Sequence, residues 1–390
     1  MNKRKVLILP SWFPNDRSPL NGVFVEEQAR MTAGIYDVAV LYGRWVGYAG
    51  LLRLRLGPRW HWEVREGIPV LERRVIVPFP RSLESAYDWY LKGIRRGFCE
   101  LLETWGRPEI IHAHVVLPAG WAAVKVGREF NIPVVLTEHS GPFSMHLRSK
   151  GQRSRVREAL SGADRVIAVS PSLASELRSM GGNLQVEVVG NLVRTDEFYA
   201  LEEERQVPQR MKFLSVALLG RKKGMHLLIE ALHLLVRNGF YDVEVLIAGD
   251  GPERYRLEKL ARTKGVSDRC SFLGILSRPE VRERMQGCDV LVLPSMGETF
   301  GTVLTEAMAC GKPVIATACG GPEFIVTPGT GLLVEKGSAD ALARAMASFA
   351  SGEVTFDSRL VRESVVERFG EGAFLSKIKG IYEGLLKKDV

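Results

Sequence analysis

The chain has 390 residues, 46% of them apolar and 25% charged, with a formal net charge of +8. That length exceeds what one hydrophobic core usually serves, so two domains are expected, and the balance of apolar to charged residues is that of an ordinary globular protein. Residues 1–195 hold 27 Lys/Arg against 18 Asp/Glu, while residues 196–390 hold 26 against 27, so the whole excess sits in the N-terminal half and implies an anionic partner there.

The opening run Met1-Asn-Lys-Arg-Lys-Val-Leu-Ile-Leu-Pro10 has a basic start, but its apolar part is too short for a secretory signal and reads as a first β-strand. No stretch reaches the eighteen or more apolar residues of a membrane span. The five cysteines (Cys99, Cys270, Cys288, Cys310, Cys319) include no close pair, which predicts reduced thiols in a cytoplasmic protein and no zinc site.

Short apolar runs then alternate with helical patterns. Strands are predicted at residues 6–9, 38–41, 110–113, 134–137, 165–169 and 186–189, and again at 212–216, 243–248, 270–273, 290–293, 314–316 and 331–333. Helices are predicted at 22–32, 223–238, 252–264 and 278–286. This alternation is the signature of βα units. The predicted fold class is α/β: two facing Rossmann-like αβα domains with a cleft between them, ligands lying at the carboxyl ends of the sheets. The domains are drawn at 1–195 and 211–369, joined by a charged, proline-containing linker over 196–210. An amphipathic helix over 370–390 ends the chain, and a return onto the first domain is one placement for it.

Six segments carry residues suited to chemistry. Asn21-Gly22 opens a helix after the first strand, where glycine lets backbone approach a phosphate; a plain turn explains it equally well. Ile111-His-Ala-His114 and Thr137-Glu-His139 end two strands, but lack the third ligand a metal site needs. Of these, His139 is expected to reach into the cleft. Gly220-Arg-Lys-Lys-Gly224 links a strand to a helix and offers Arg221, Lys222 and Lys223 to a diphosphate. Ala248-Gly-Asp-Gly-Pro-Glu253 offers Gly249 and Gly251 for close approach and Asp250 as a helix cap. In the run 294–316, Glu298 and Glu306 stand eight positions apart, with Phe300, Gly301 and Thr302 at a helix N-terminus that suits phosphate. Eight helical residues span roughly 12 Å, enough to set one carboxylate at each end of a diphosphate.

Taken together these segments, with Leu20-Asn-Gly-Val-Phe-Val-Glu-Glu-Gln28, Val189-Gly-Asn191 and Gly320-Gly-Pro-Glu323, resemble the family-four retaining glycosyltransferases of GT-B fold over nearly the whole chain. The resemblance implies a metal-independent, hexosyltransferase-type enzyme that uses a nucleoside diphosphate sugar as co-substrate and needs no cofactor. It assigns the donor ribose to Glu306 and the transferred sugar to Glu298. Phe300, Gly301 and Thr302 face sugar and phosphates, Lys223 and Gly22 approach the diphosphate, and His139 contacts the sugar. An arginine usual in the family five or six residues before the lysine is replaced here by Leu218 and Ala217, so Arg221 or Lys222 is expected to supply the charge.

The acceptor is expected to be a glycan or a lipid-linked sugar, not nucleic acid, in cell-surface polysaccharide or glycolipid synthesis. Two basic segments suggest peripheral contact with anionic lipid: Arg44 to Trp62, rich in Arg and Trp, and Arg148, Lys150, Arg153, Arg155, Arg157. A solvated basic face with aromatic core residues explains them as well. Two other readings stay open: a nucleotide-sugar 2-epimerase and a non-catalytic nucleotide-sugar-binding subunit.

Overall fold

The computed structural model describes residues 3–16, 18, 21–46, 60–76, 83–181, 183–201 and 210–387. The chain forms two compact units, one of Met1–Leu192 with Leu375–Val390 and the other of Val193–Phe374. Most of the linker drawn over 196–210, and the basic run from 47 to 59, lie outside the described residues.

In the first unit the described strands are β1 (Lys5–Pro10), β2 (Asp37–Val46), β3 (Trp60–Arg65), β4 (Ile68–Ile76), β5 (Ile110–His114), β6 (Val134–Glu138), β7 (Arg165–Ala168) and β8 (Val186–Val188). They form one sheet in the order β3-β4-β2-β1-β5-β6-β7-β8. All neighbours run parallel except β3 and β4. Val6, Leu7, Ile8 and Leu9 are all buried, because a central parallel strand is covered on both faces and therefore reads as an unbroken apolar run.

The β3–β4 hairpin is absent from the sequence expectation. Its turn is Glu66-Gly67, both at positive φ, the two-residue geometry that matches strand twist. The β4 strand carries Glu72 and Arg73 in buried positions, which interrupts the apolar pattern a strand is read from. Arg44 on the neighbouring β2 makes Glu72 tolerable there: its Nε lies 3.2 Å from Glu72, and its Nη1 lies 2.5 Å from Asp16. Arg44 is thus a buried ion-pairing residue, which corrects its expected place on a lipid-facing surface. The helix Glu371–Leu386 buries Phe374, Ile378, Ile381, Tyr382 and Leu385, and the Tyr382 ring packs edge-on against Tyr36 of the first unit.

The second unit carries β9 (Met211–Val216), β10 (Val243–Ala248), β11 (Cys270–Gly274), β12 (Val290–Leu293), β13 (Val314–Thr317) and β14 (Gly331–Val334). Its sheet is parallel throughout, in the order β11-β10-β9-β12-β13-β14. The order makes a doubly wound sheet: the crossovers from β9 go one way and those from β12 go the other, so a topological switch point lies between these two strands. The helix Met225–Arg237 buries Met225, Leu227, Leu228, Ile229, Ala231, Leu232 and Leu235, and with Ala339–Ala350 it covers the strand core of Phe213, Val245, Ile247 and Val292. Among the described residues no helix is long and apolar enough to cross a membrane.

Candidate functional site

The loops that leave β9 and β12 at the switch point bring two sequence candidates into contact. Lys223 ends a single 3-10 turn, Arg221–Lys223, and Gly224 follows in the left-handed region at φ 67. A Cβ on Gly224 would run into the Pro294 carbonyl, so only glycine allows the two loops to lie so close. Met296 N donates to the Lys222 carbonyl at 2.8 Å and locks them together. Across this seam Lys223 Nζ donates to Glu298 Oε1 at 2.6 Å, and Ser295 Oγ donates to the same oxygen at 2.6 Å. The Glu298 backbone is tied on its other side, its carbonyl accepting from Gly321 N at 2.7 Å.

Glu306 lies on the helix Thr302–Ala309, which begins after Gly301. Its Oε1 accepts from Arg278 Nη1 at 3.1 Å. The same guanidinium grips Glu197 through Nε at 2.9 Å and Nη2 at 3.1 Å, and stacks on the Phe198 ring at 5.0 Å. Sequence reasoning missed Arg278. The signal was present: Glu280 accepts from Ser277 N and Ser277 Oγ at 2.7 and 2.6 Å, a capping arrangement that makes Arg278 the first residue of the helix Arg278–Gly287 after β11. At the end of β10, Gly249 N donates to the Gly274 carbonyl at 2.7 Å, and a Cβ on Gly251 would meet the Leu219 backbone.

In the first unit Gly22 stands at φ 80 before the helix Val23–Ala33, and a Cβ there would run into the backbone of Trp12 and Phe13. Phe24, two residues on, packs its ring against His139 with centroids 4.6 Å apart. His139 belongs to a buried line of polar side chains. Its Nδ1 lies 3.1 Å from Asn191 Oδ1, and its Nε2 lies 3.0 Å from His114 Nδ1. His112 stacks on His114 and joins Thr137 Oγ1 at 2.7 Å and the Tyr382 hydroxyl at 2.6 Å. Burial lowers all three imidazoles, His112 and His139 to about 3 and His114 well below its ordinary value, so they are neutral at pH 7.

The neighbouring Glu138 is fully buried and accepts from three backbone N–H groups, Val116 at 2.6 Å, His139 at 2.9 Å and Ser140 at 2.6 Å. These bonds brace Val115, a β-branched residue at φ 73 whose own N–H donates to the Thr137 carbonyl at 2.8 Å.

Two family models match the chain, "Glycosyltransferase Family 4" over residues 36–197 and "Glycosyl transferases group 1" over residues 200–364. The chain belongs to the family-four glycosyltransferases. A Bacillus subtilis (strain 168) protein described as a putative teichuronic acid biosynthesis glycosyltransferase, TuaC, is 29% identical over 366 residues, 88% of this chain and 89% of that one. The solved sucrose-phosphate synthase of Thermosynechococcus elongatus superposes with a TM-score of 0.80 at 23% identity, covering 99% of this glycosyltransferase and all of that chain. The Anabaena protein HepE, solved in complex with UDP and glucose, superposes at 0.71 with 20% identity, covering 98% of this chain and all of its own. The shared architecture is GT-B.

Several expected placements are corrected within the glycosyltransferase. Phe300 does not offer its ring to a ligand: it is buried edge-on against Phe324 and Phe369, so only its backbone lies in the loop. Arg221 and Lys222 are exposed, and the contact with Glu298 is made by Lys223. Asp250 caps no helix; its Oδ1 accepts from Gly251 N at 2.7 Å, and the helix Arg254–Thr263 starts beyond it. His139 is buried just past the end of β6, with its ring nitrogens directed at His114 and Asn191, where the sequence reading expected it to reach into the cleft. Arg155 is sandwiched against Tyr87 and Trp121 at 5.1 and 5.0 Å, which leaves Arg148, Lys150, Arg153 and Arg157 of its cluster at or near the surface.

Proposed function

We propose that this glycosyltransferase takes its sugar from a nucleoside diphosphate sugar and retains the anomeric configuration, without a metal, in the synthesis of a cell-surface polysaccharide or glycolipid. The observation that carries this reading is the Lys223–Glu298 pair at the β9/β12 switch point, with Glu306 on the helix that follows. In open parallel sheets, ligands bind at such a point, and a helix N-terminus there favours phosphate. The description of HepE in complex with UDP and glucose, and the name of TuaC, support the donor class and the kind of product. Neither rival reading, isomerase or binding subunit, has an observation in its favour.

In this reading Glu306 takes the ribose and Glu298 the transferred sugar, while Lys223, the backbone from Phe300 to Thr302, and the close-approach glycines Gly249 and Gly251 take the nucleotide and its phosphates. Arg221 adds positive charge from the rim of the same loop. For the first unit the proposal assigns Gly22 to phosphate approach and His139 to the sugar. Bond breaking places negative charge on the β-phosphate, and a lysine and helix N–H groups already fixed there lower the barrier because they need no reorganisation. The departing phosphate is the group that takes the acceptor proton. Lys223 is neutralised by Glu298 in the present arrangement, so donor phosphate must compete with Glu298 for it. The exposed Arg148, Lys150, Arg153 and Arg157 are proposed to meet an anionic lipid surface, which vesicle co-sedimentation at low salt tests.

The deciding experiment incubates purified protein with a panel of UDP-, GDP- and ADP-sugars in EDTA, following nucleotide release by chromatography and product configuration by NMR. Release from one donor, faster with a glycan acceptor and with the donor's anomeric configuration kept, is expected. An inverted product, or turnover that returns only with added divalent metal, refutes the corresponding part. An epimerised sugar points to an isomerase, and binding without turnover to a binding subunit.

A further inference from the structure

His139 is expected to act on the sugar, yet a neutral imidazole has two tautomers, and only one of its nitrogens carries the proton. The neighbours of His139 decide which. Asn191 Oδ1 is an acceptor, and it receives a second bond from Gln28 Nε2 at 3.2 Å. Gln28 and Asn191 are both buried, and Gln28 stands on the helix that Gly22 opens, so the amide pair is held from two directions. Turning Asn191 alone would set its NH2 against the NH2 of Gln28; turning both amides together would reverse the tautomer, and the NMR test below separates the two arrangements. An acceptor at 3.1 Å from Nδ1 requires that Nδ1 carry the hydrogen. Nε2 is then a bare acceptor, and His114 Nδ1, 3.0 Å away, must be the donor to it. The directions of the Asn191–His139 and His139–His114 bonds thus follow from one side-chain oxygen.

We propose that Asn191, held by Gln28, is a positioning residue for sugar transfer: it fixes His139 in the Nδ1–H form, so that Nε2 is an acceptor that a hydroxyl of the donor sugar takes over from His114. This rests on the catalytic assignment of His139 made above. Asn191 touches neither donor nor acceptor in this account and acts only through the imidazole. The glycine-loop helix and the histidine are thereby coupled through a single amide, since a shift of Gln28 releases Asn191 and with it the tautomer. The device uses no charge: Glu138, the nearest carboxylate on the same strand, spends its oxygens on backbone N–H groups.

The test is to label the seven histidines with nitrogen-15 in the full chain and read the ring nitrogens by NMR, assigning His139 by its loss in His139→Ala. The proposal expects His139 with a protonated Nδ1 and a bare Nε2. In Asn191→Leu, of similar size but with no acceptor, the proton is expected to move to Nε2, and kcat to fall about a hundredfold with the donor KM within about twofold, the scale of a small misplacement at a reacting centre. Asn191→Asp, which still accepts, is expected to keep Nδ1 protonated, and it serves as the reading variant should the leucine variant fold poorly. A wild-type His139 with its proton on Nε2 overturns the proposal. So does an Asn191→Leu enzyme of normal kcat beside an inactive His139→Ala enzyme. If both variants transfer at the normal rate, the assignment of His139 itself has failed, and the positioning role falls with it.

Discussion

Replacing Glu138 by glutamine changes one oxygen to an NH2 in a site that has no room for a second donor. In the native chain Oε1 receives His139 N and Ser140 N, and Oε2 receives Val116 N. A glutamine can serve the pair at Oε1, but its amide nitrogen then faces the Val116 N–H at what was a 2.6 Å bond. The loss of a hydrogen bond to a charged acceptor costs about 1.5–3 kcal/mol, and stranding buried donors adds about 1–3 kcal/mol. The expected destabilisation is therefore about 4 kcal/mol, a large part of the roughly 5–15 kcal/mol of a typical domain. All seven tryptophans lie between Trp12 and Trp121, in the first unit, so tryptophan fluorescence follows that unit selectively during urea unfolding. With a slope of about 2.5 kcal/mol per molar urea, the midpoint should drop by about 1.6 M. A midpoint within about 0.2 M of wild type would refute the assignment of Glu138 as a triple acceptor that braces Val115.

Three further outcomes are expected. Gly224→Ala should cost more than about 1 kcal/mol in the unfolding of the second unit, since it combines positive φ with a clash at Pro294, and it should cut transfer more steeply than donor binding by moving Lys223; a fully active, equally stable variant would show that the two loops are not interlocked. Arg278→Ala should weaken binding of the donor's nucleoside diphosphate about tenfold in calorimetry, because Glu306 loses its 3.1 Å partner; an unchanged Kd would separate Arg278 from the positioning of Glu306. Stability of the first unit should depend on pH in one direction. His112 and His139 have folded pKa values of about 3, below the ordinary 6.5, so the unfolded chain binds more protons between these limits. Stability then falls as pH drops below about 6.5, by up to about 1.4 kcal/mol per pH unit for each histidine, and is flat with respect to these groups above it. Urea midpoints that do not move between pH 7 and pH 5 would contradict the burial of neutral imidazoles.

The parts of the fold that were legible in the sequence share one cause. Val6–Leu9 and Val290–Leu293 are covered on both faces, so burial leaves an unbroken apolar run that marks them as strands. The β3–β4 hairpin escaped because Glu72 and Arg73 are buried charges, and what makes Glu72 acceptable, Arg44, lies on another strand. At the site, Lys223, Glu298 and Glu306 could be named from their loops and spacing. Arg278 and Asn191 could not be given roles, since each acts through a residue distant in sequence, Arg278 through Glu306 and Asn191 through His139. Phe300 was misjudged for the opposite reason: its motif position is local, but the direction of its ring is set by Phe324 and Phe369.

What the sequence determined by itself, then, is the series of strands, turns and helix starts, together with the chemical groups each loop would present. These follow from backbone sterics and from whether a face is covered, both of which act over a few residues. The tertiary structure alone decided partners and protonation. Lys223 meets Glu298 because β9 lies beside β12, an order that no local pattern encodes. Three histidines that titrate near neutrality in water are neutral here because the packed first unit removes the water that would stabilise their charge.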